Sequence, residues 1–539
     1  MKKFKRVVIT SVVQGMSLNE EALKSLRTFC KEKDARLIVV PIKYRAKGYG
    51  TGDEIPFFIQ GIDSKEILNR NLLINGHTIV YASVKVRPTA KRPLTGFAGF
   101  GGSSSVVIPH PKVGMDLEPS SKKHQPKQLW TSGTISNPDG YSITRAGSEG
   151  EFHHTLGAIL VEGDFIRHLP ISKSGKVYDL DNVYLPDGEV EDPQIAGLVL
   201  GDIHMAFQKK KTLKKIISTL KRFTPKHVML HDLLDANAVS HHNIGRRFAQ
   251  LGVHNRAMPI DKEIKLCYKF IDNILKLGIQ PVLVDSNHIN HFTQWLERAV
   301  WSDNMRLAVE ILEWQLMMVQ AIKETDFNLK TPEAFSILIE GRYGKKVKIV
   351  GGQGKPSFKI EGYLVDRHGH EGLNGGRGLT GIHRRSADKF ITGHTHSPKI
   401  IDGLTTVGTY SPLDMPYTGG LSTWGKAFAL IYEGGRRQLV LEKPDFGFED
   451  TDPSLIQTDY LSENDEIAEN VIPEKEEVLT KLTGRYSVMR SSEPGITYVI
   501  HGMNDLKSLK DVPGRRALDR LKRDGVLIFN DEEWEFRLN

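Results

Sequence analysis

A chain of 539 residues is longer than one hydrophobic core serves and, at roughly 100–200 residues each, calls for about three domains. Hydrophobic residues at 39% and charged residues at 26% describe a soluble globular protein and exclude wholesale disorder; no apolar stretch nears the roughly 18–20 residues of a membrane span, and the start turns polar after one strand-length run, so neither a span nor a secretory leader is expected. Cys30 and Cys267 are too few for a disulfide framework or a thiolate zinc site, which fits a reducing cytoplasm, and the formal charge of +8 is mild for this length.

In chain order, RVVITSVV, LNEEALKSLRTFCKEK and ARLIVVPIKY read as strand, helix and strand, a small α/β unit. Gly/Pro/Ser-rich loops follow, broken by short strands such as HTIVYASVKV and GAILVEGDF. The glycine cluster FAGFGGSSS lacks the spacing and the strand-to-helix setting of a dinucleotide loop and reads as a flexible loop, and Phe152-His153-His154 reads as ordinary packing. The segment DGEVEDPQIAG breaks the chain near 187–196, and a second break lies at the acidic stretch 446–477. That stretch holds eleven Asp/Glu against one Lys, a net −10, leaving +18 on the remainder. The expected division is therefore an N-terminal α+β domain (1–195), a middle domain (196–445), an acidic linker (446–477) and a small C-terminal module (478–539). The module ends in a helix and two strands joined at Asn530-Asp531, a winged-helix pattern with Arg515, Arg516, Arg520, Lys522 and Arg523 on its helix.

The chemistry concentrates in the middle domain, where five polar clusters each follow an apolar strand. GLVLGDIH carries Asp202 and His204, HVMLHDLLD carries Asp232 and Asp235, and PVLVDSNHIN carries Asn287 and His288. KIEGYLVDRHGHEG carries His368 and His370, and KFITGHTH carries His394 and His396. Strand ends of an α/β sheet share one edge, so clusters spaced by helices can converge there. Any one of them alone would read as a helix cap or a surface hydrogen bonder. Aspartates, an amide and imidazoles together form a mixed N/O set suited to Mn, Fe, Zn or Mg ions; two such ions bridged by one carboxylate can activate a water for attack on phosphorus.

This ordered set, D-x-H, D-x-x-D, N-H, H-G and G-H-x-H, resembles the calcineurin-like metallophosphoesterase superfamily over roughly 196–445. The resemblance implies an α/β (α+β) double β-sheet sandwich flanked by helices. It also implies two divalent ions, Mn²⁺ first with Mg²⁺, Fe²⁺ or Zn²⁺ as alternatives. By position, Asp202, His204 and His396 would hold one ion, Asn287, His368 and His394 the other, and Asp232 would bridge. His288 would protonate or stabilise the leaving oxygen, and Asp235, which the resemblance does not assign, is the group left to act behind these residues. Two departures stand out: His231 replaces the usual Gly before Asp232, and Ile289 replaces the acidic residue that often follows N-H. His370 competes with His368 as the ligand or touches phosphate.

Charge and setting narrow the substrate. KKKTLKKIISTLKRF is strongly basic around a stripe of Ile216, Ile217 and Leu220, and His241, His242, Arg246 and Arg247 follow the second cluster. Arg377, His383, Arg384 and Arg385 follow the fourth on glycine-rich backbone. The N-terminal segments VVITSVVQG, PHPKVGM, LWTSGTIS and AGSEGEFHHTLGAILVEG, placed before such a domain, look like the large phosphoesterase proteins of tailed phages. That likeness implies a manganese-dependent DNase acting on host DNA in the infected cytoplasm, as a homo-oligomer. A nucleotide or cyclic-nucleotide phosphoesterase and a DNA-tethering, DNA-transfer scaffold with secondary nuclease activity are the alternatives.

Overall fold

The computed structural model describes residues 3–43, 61–84, 86–121, 126–243, 258–324, 327, 333–352, 355, 357–372, 376, 378, 389–413, 415 and 419–442 and, towards the C-terminus, 461–462, 487–490, 497–501, 525–530 and 533–538. Arg246, Arg247, Arg377, His383, Arg384, Arg385, the basic helix expected at 515–523 and all but two residues of the acidic stretch lie outside them.

The fold is mixed α/β, with several sheets and seven α-helices among the described residues. The expected opening unit forms as read: β1 (Arg6–Val13), α1 (Glu20–Glu32) and β2 (Ala35–Ile42), with β1 and β2 parallel. The Asn19 side chain accepts from Ala22 N at 2.9 Å to start α1, whose Ala22, Leu23, Leu26, Phe29 and Cys30 form the buried stripe. Then come β3 (Leu72–Ile74), β4 (Thr78–Val80), β5 (Ser105–Ile108), β6 (Met115–Leu117), β7 (Gln128–Thr131), α2 (Arg145–Phe152), β8 (Gly157–Glu162) and β9 (Phe165–Pro170). Strands β9-β8-β1-β2 make a four-stranded sheet.

The middle region supplies β10 (Ile195–Val199), α3 (Lys210–Phe223), β11 (His227–Leu230), α4 (Ile260–Leu275), β12 (Gln280–Val284), α5 (Asn287–Leu296), α6 (Ala308–Glu324), α7 (Ala334–Tyr343) and β13 (Lys348–Val350). It continues with β14 (Lys359–Ile360), β15 (Tyr363–Leu364), β16 (Lys389–Thr392), β17 (Lys399–Ile401), β18 (Leu404–Thr406), β19 (Lys426–Tyr432) and β20 (Arg436–Glu442). One sheet runs β13-β12-β11-β10-β19-β20, with β10 to β13 parallel. Its residues alternate between two cores. Leu198, Val228, Leu230, Leu283, Phe428 and Leu430 pack with the helices, while Val199, Met229, Val282, Ala427 and Ile431 face the other way.

The second core is shared with a ten-stranded sheet, order β14-β15-β16-β18-β17-β6-β7-β5-β4-β3, through Met115, Trp130, Tyr363, Ile391 and Ile400. The two sheets come close at Gly197, where a Cβ would meet the Ile360 side chain at 2.8 Å. Five strands of the larger sheet precede the 187–196 break and five follow it, joined where Met115 pairs Ile400. The basic helix α3 buries Ile216 and Leu220, with Ile217 packed at the edge of the core, and leaves Lys210, Lys211 and Lys214 exposed, as is Lys209 at its N-cap. Both cysteines are buried and free. At the C-terminus the expected hairpin forms, with Asn530 opposite Glu533, inside a four-stranded antiparallel sheet with Ser487–Arg490 and Thr497–His501.

The N-terminal part and the six-stranded sheet are tied by a buried polar knot. Arg167 grips Asp179 at 2.7 and 2.8 Å, and Gln438 donates to His168 O at 2.9 Å and to Asp179 at 3.1 Å. The Gln438 Oε1 also accepts from Leu180 N at 2.9 Å and from the Tyr432 hydroxyl at 2.8 Å. Gln438→Ala strands several of these groups without water, so it should destabilise by about 2–4 kcal/mol. Urea unfolding checks this, and a change near zero would mean that the knot is not a stabilising tie.

Candidate metal centre

Backbone ladders bring the clusters together. Beyond the end of β10 the pairing with the chain leaving β11 continues: Ile203 N donates to His231 O at 3.0 Å, His204 N to Asp232 O at 2.7 Å and Met205 N to Leu233 O at 3.1 Å. Asp202 is clamped from the other side, its N donating to Gly408 O at 3.0 Å while Tyr410 N donates to Asp202 O at 2.8 Å. His204 (φ 50°), Asp232 (φ 43°), His394 (φ 71°) and His396 (φ 55°) all adopt left-handed backbone. Each such non-glycine residue costs on the order of 1–3 kcal/mol, a strain found where function fixes the side chain's aim. Gly393 is demanded by the same crowding, since a Cβ there would run into Asp202 Oδ1.

The side chains meet in a buried cluster. His396 Nε2 lies 3.1 Å from Asp202 Oδ2 and 2.9 Å from His204 Nε2, and His204 Nε2 lies 3.6 Å from Asp232 Oδ2. His368 Nε2 is 3.1 Å from Asp232 Oδ2, and its Nδ1 is 3.8 Å from Asp202 Oδ1. The backbone N–H of His394 donates to Asp202 Oδ2 at 2.8 Å. Of the two histidines flanking Gly369, His368 therefore enters the cluster; His370 stands behind it, with ring centroids 5.6 Å apart. Asp235 takes His204 Nδ1 at 2.6 Å and His288 Nδ1 at 3.0 Å on the same oxygen, so one carboxylate orients both imidazoles.

The electrostatics suit a cation. Burial pushes the Asp202 carboxyl well up, and the Asp232 charge adds to it. Asp232 is equally buried, yet His368, His288 and His204 hold it well below the usual range. Burial lowers His231, His394 and His396 to about 4, the neutral form that ligates metal. Asp202 Oδ1, Asp232 Oδ1 and His231 Nε2 are buried without hydrogen-bond partners, as is Asn287 Oδ1 on α5, and the donor sets Asp202–His204–Asp232–His396 and Asp202–His231–His368 meet at Asp202. Orphaned acceptors of both N and O type, with no thiolate, are what a divalent ion would satisfy.

The structure adds two residues to those read from the sequence. His231, read there only as a departure, has Nδ1 3.4 Å from His368 Nδ1 and completes a donor set with Asp202. Its position at the strand end, directly before Asp232, was the available signal. His291 packs against His288 at 5.2 Å between ring centroids and also meets His241 and His242. Its i,i+3 spacing from His288 on one helix face was legible. His241 and His242 are exposed on the turn after Ser240. His154, by contrast, spends both ring nitrogens on Tyr141 and Ser136 O, as ordinary packing does, whereas Phe152, expected to pack with it, stands exposed at the end of α2.

Fold and cluster together define a mixed α/β protein with a buried aspartate–histidine centre able to hold a metal ion. No family model matches the chain. It is similar to Protein A1 of Escherichia phage T5, 28% identical over 466 residues, a match covering 82% of this chain and 82% of that protein. The likeness relates the chain to a phage protein across most of both lengths.

Behind the cluster, the fully buried Glu263 accepts from Asp235 N at 2.6 Å and fixes the turn that aims Asp235. Burial, then the neighbouring Asp235 charge, raises its carboxyl from 4.5 to about 8. The folded chain thus keeps a proton that the unfolded chain releases, so this group's contribution to stability falls as pH rises from about 4.5 to 8. Glu263→Gln keeps an acceptor and cannot ionise. Unfolding of the chelator-treated protein across that window should show a flatter pH profile for the variant, by on the order of a few kcal/mol; parallel profiles would contradict the assignment.

Proposed function

We propose that this protein is a metallophosphoesterase of the calcineurin-like superfamily that hydrolyses DNA phosphodiester bonds with two divalent ions, Mn²⁺ foremost. The observation that carries the reading is the convergence of the five ordered strand-end clusters on one buried pocket of orphaned donor atoms. Asp202, His204 and His396 would hold one ion, Asn287, His368 and His394 the other, and Asp232 both, with His231 as an added donor beside His368. Ions so held would supply Lewis acidity and a reactive water.

The chain's own residues account for the rest. His288 lies at the mouth with its side chain 20% exposed, held by Asp235 Oδ1. Burial opposes its charge, but Asp232 and Asp235 outweigh that and raise it to about 10 while no ion neutralises Asp232, and Asp235 remains to hold a proton on it. As water attacks phosphorus and the bond to the sugar oxygen breaks, His288 can give that proton to the departing oxygen. A substrate phosphate would meet His370 and the His241–His242 turn, with Arg246, Arg247 and Arg377 as further grips. Helix α3, six residues beyond His204, turns exposed lysines to solvent, and the body outside the acidic stretch carries +18, which favours a polyanion. Similarity to a phage protein supports a phage setting, and within it we infer degradation of host DNA early in infection, in the host cytoplasm.

Plasmid, single-stranded DNA, cyclic nucleotides and small phosphodiesters assayed with a Mn²⁺, Mg²⁺, Fe²⁺ and Zn²⁺ panel should show DNA cleavage that chelation abolishes. Asp232→Asn should lower it by ~10³-fold or more, and His288→Asn by ~10²–10⁴-fold with bound metal unchanged. Turnover of small esters alone would replace DNA with a nucleotide substrate, and metal-loaded protein that binds but never cuts DNA would point to a tethering scaffold.

Self-association has its own support. Val309, Leu312, Leu316 and Val319 lie exposed on α6 at spacings of three, four and three, with Met305 exposed on the 3-10 segment just before it, while Ile311, Trp314 and Met318 bury the opposite face of α6. A heptad stripe of this kind, well beyond scattered surface apolars, is self-complementary, and a second copy of the chain is the occupant it fits. Leu312→Glu/Leu316→Glu should reduce the mass seen by light scattering; a wild-type monomer at micromolar concentration would refute the interface.

A further inference from the structure

Three histidines outside the buried centre form a donor set of their own. His241 and His242 stand exposed on the turn 241–243, and His291 lies buried on α5 beneath them. One ring nitrogen from each falls within 4.8 Å of the others. The centroid separations are 4.0 Å for His241–His242, 5.0 Å for His241–His291 and 5.4 Å for His242–His291. His291 Nδ1 is buried with no hydrogen-bond partner, an arrangement that costs free energy unless something fills it. Metal–nitrogen bonds of about 2.0–2.1 Å require only modest rotation of the two exposed rings to close on one point.

We propose that His241, His242 and His291 form a separate site for one transition-metal ion of the Zn²⁺, Co²⁺ or Ni²⁺ class. An all-imidazole set favours these borderline ions over Mg²⁺ or Ca²⁺, which prefer oxygen. Three ligands leave at least one position open, and it opens to the solvent side where His241 and His242 stand. A cavity of about 350 Å³ lies beside it, lined by His241, Trp295, Arg298 and Asp303 among others. The ion is therefore placed to take an anionic oxygen as its further ligand, with Arg298 nearby to share the charge. None of its three ligands belongs to the buried centre, so the site does not depend on the activity proposed above.

Full-length protein stripped with chelator and reloaded with Co²⁺ tests this by metal analysis after dialysis and by visible absorption. Wild type should hold one more Co²⁺ per chain than His241→Gln/His242→Gln, whose exposed positions leave the fold intact, and should show a ligand-field band that the double variant lacks. His291→Gln should lose the same band, with an unchanged thermal midpoint of the stripped protein as the control for folding. Equal Co²⁺ content and superimposable spectra across wild type and variants would overturn the site. The buried centre contributes equally to all of them, so its failure to load would lower every value and leave the difference.

Discussion

Asp202 and Asp232 end neighbouring parallel strands with essentially none of their surface in water, and two carboxylates so placed repel each other through a poorly screening medium. The surrounding structure answers that repulsion. Four imidazoles press on the pair, the His394 backbone N–H clamps Asp202, and acceptors of both carboxylates remain unpaired. Left-handed backbone at Asp232 itself and at the surrounding His204, His394 and His396 is the conformational cost of aiming these groups inward from loops only a few residues long.

The same constraint explains the arrangement of outer groups. Asp235 cannot orient both His204 and His288 unless its own turn is fixed, and that turn hangs from Glu263 on α4. On the opposite side the loop of His394 and His396 leads into β17, which pairs with β6 from the N-terminal half, and Trp424 packs on the His396 ring at 4.1 Å. The N-terminal half, which offers no chemistry of its own among the described residues, thus extends the sheet that carries one wall of the centre. His110, within the PHPKVGM segment, spends its ring nitrogens on Arg87 O and Lys112 N, a packing role.

Much of this was legible from residues alone. The apolar strand followed by a polar cluster repeated five times, and the opening strand–helix–strand and the terminal hairpin carried plain periodicity and turn signals. What periodicity could not reveal was pairing at a distance. The division near 187–196 reads as a break because the local composition is polar, yet Met115 and Ile400 pair across it. Nothing in either short strand names its partner. His231 looked like a substitution because a strand-end residue shows its direction only when the neighbouring strands are placed.

The sequence by itself determined the donor types, their order and their attachment to strand ends, because those depend on local hydrophobic pattern and side-chain chemistry. Only the tertiary structure decided which atoms share a pocket: His368 over His370 in the cluster, Asp235 between two imidazoles, His291 beneath His241 and His242. Such proximity is set by the stacking of two sheets and the docking of helices, contacts between residues far apart in the chain, 192 positions for His204 and His396, that no local period encodes.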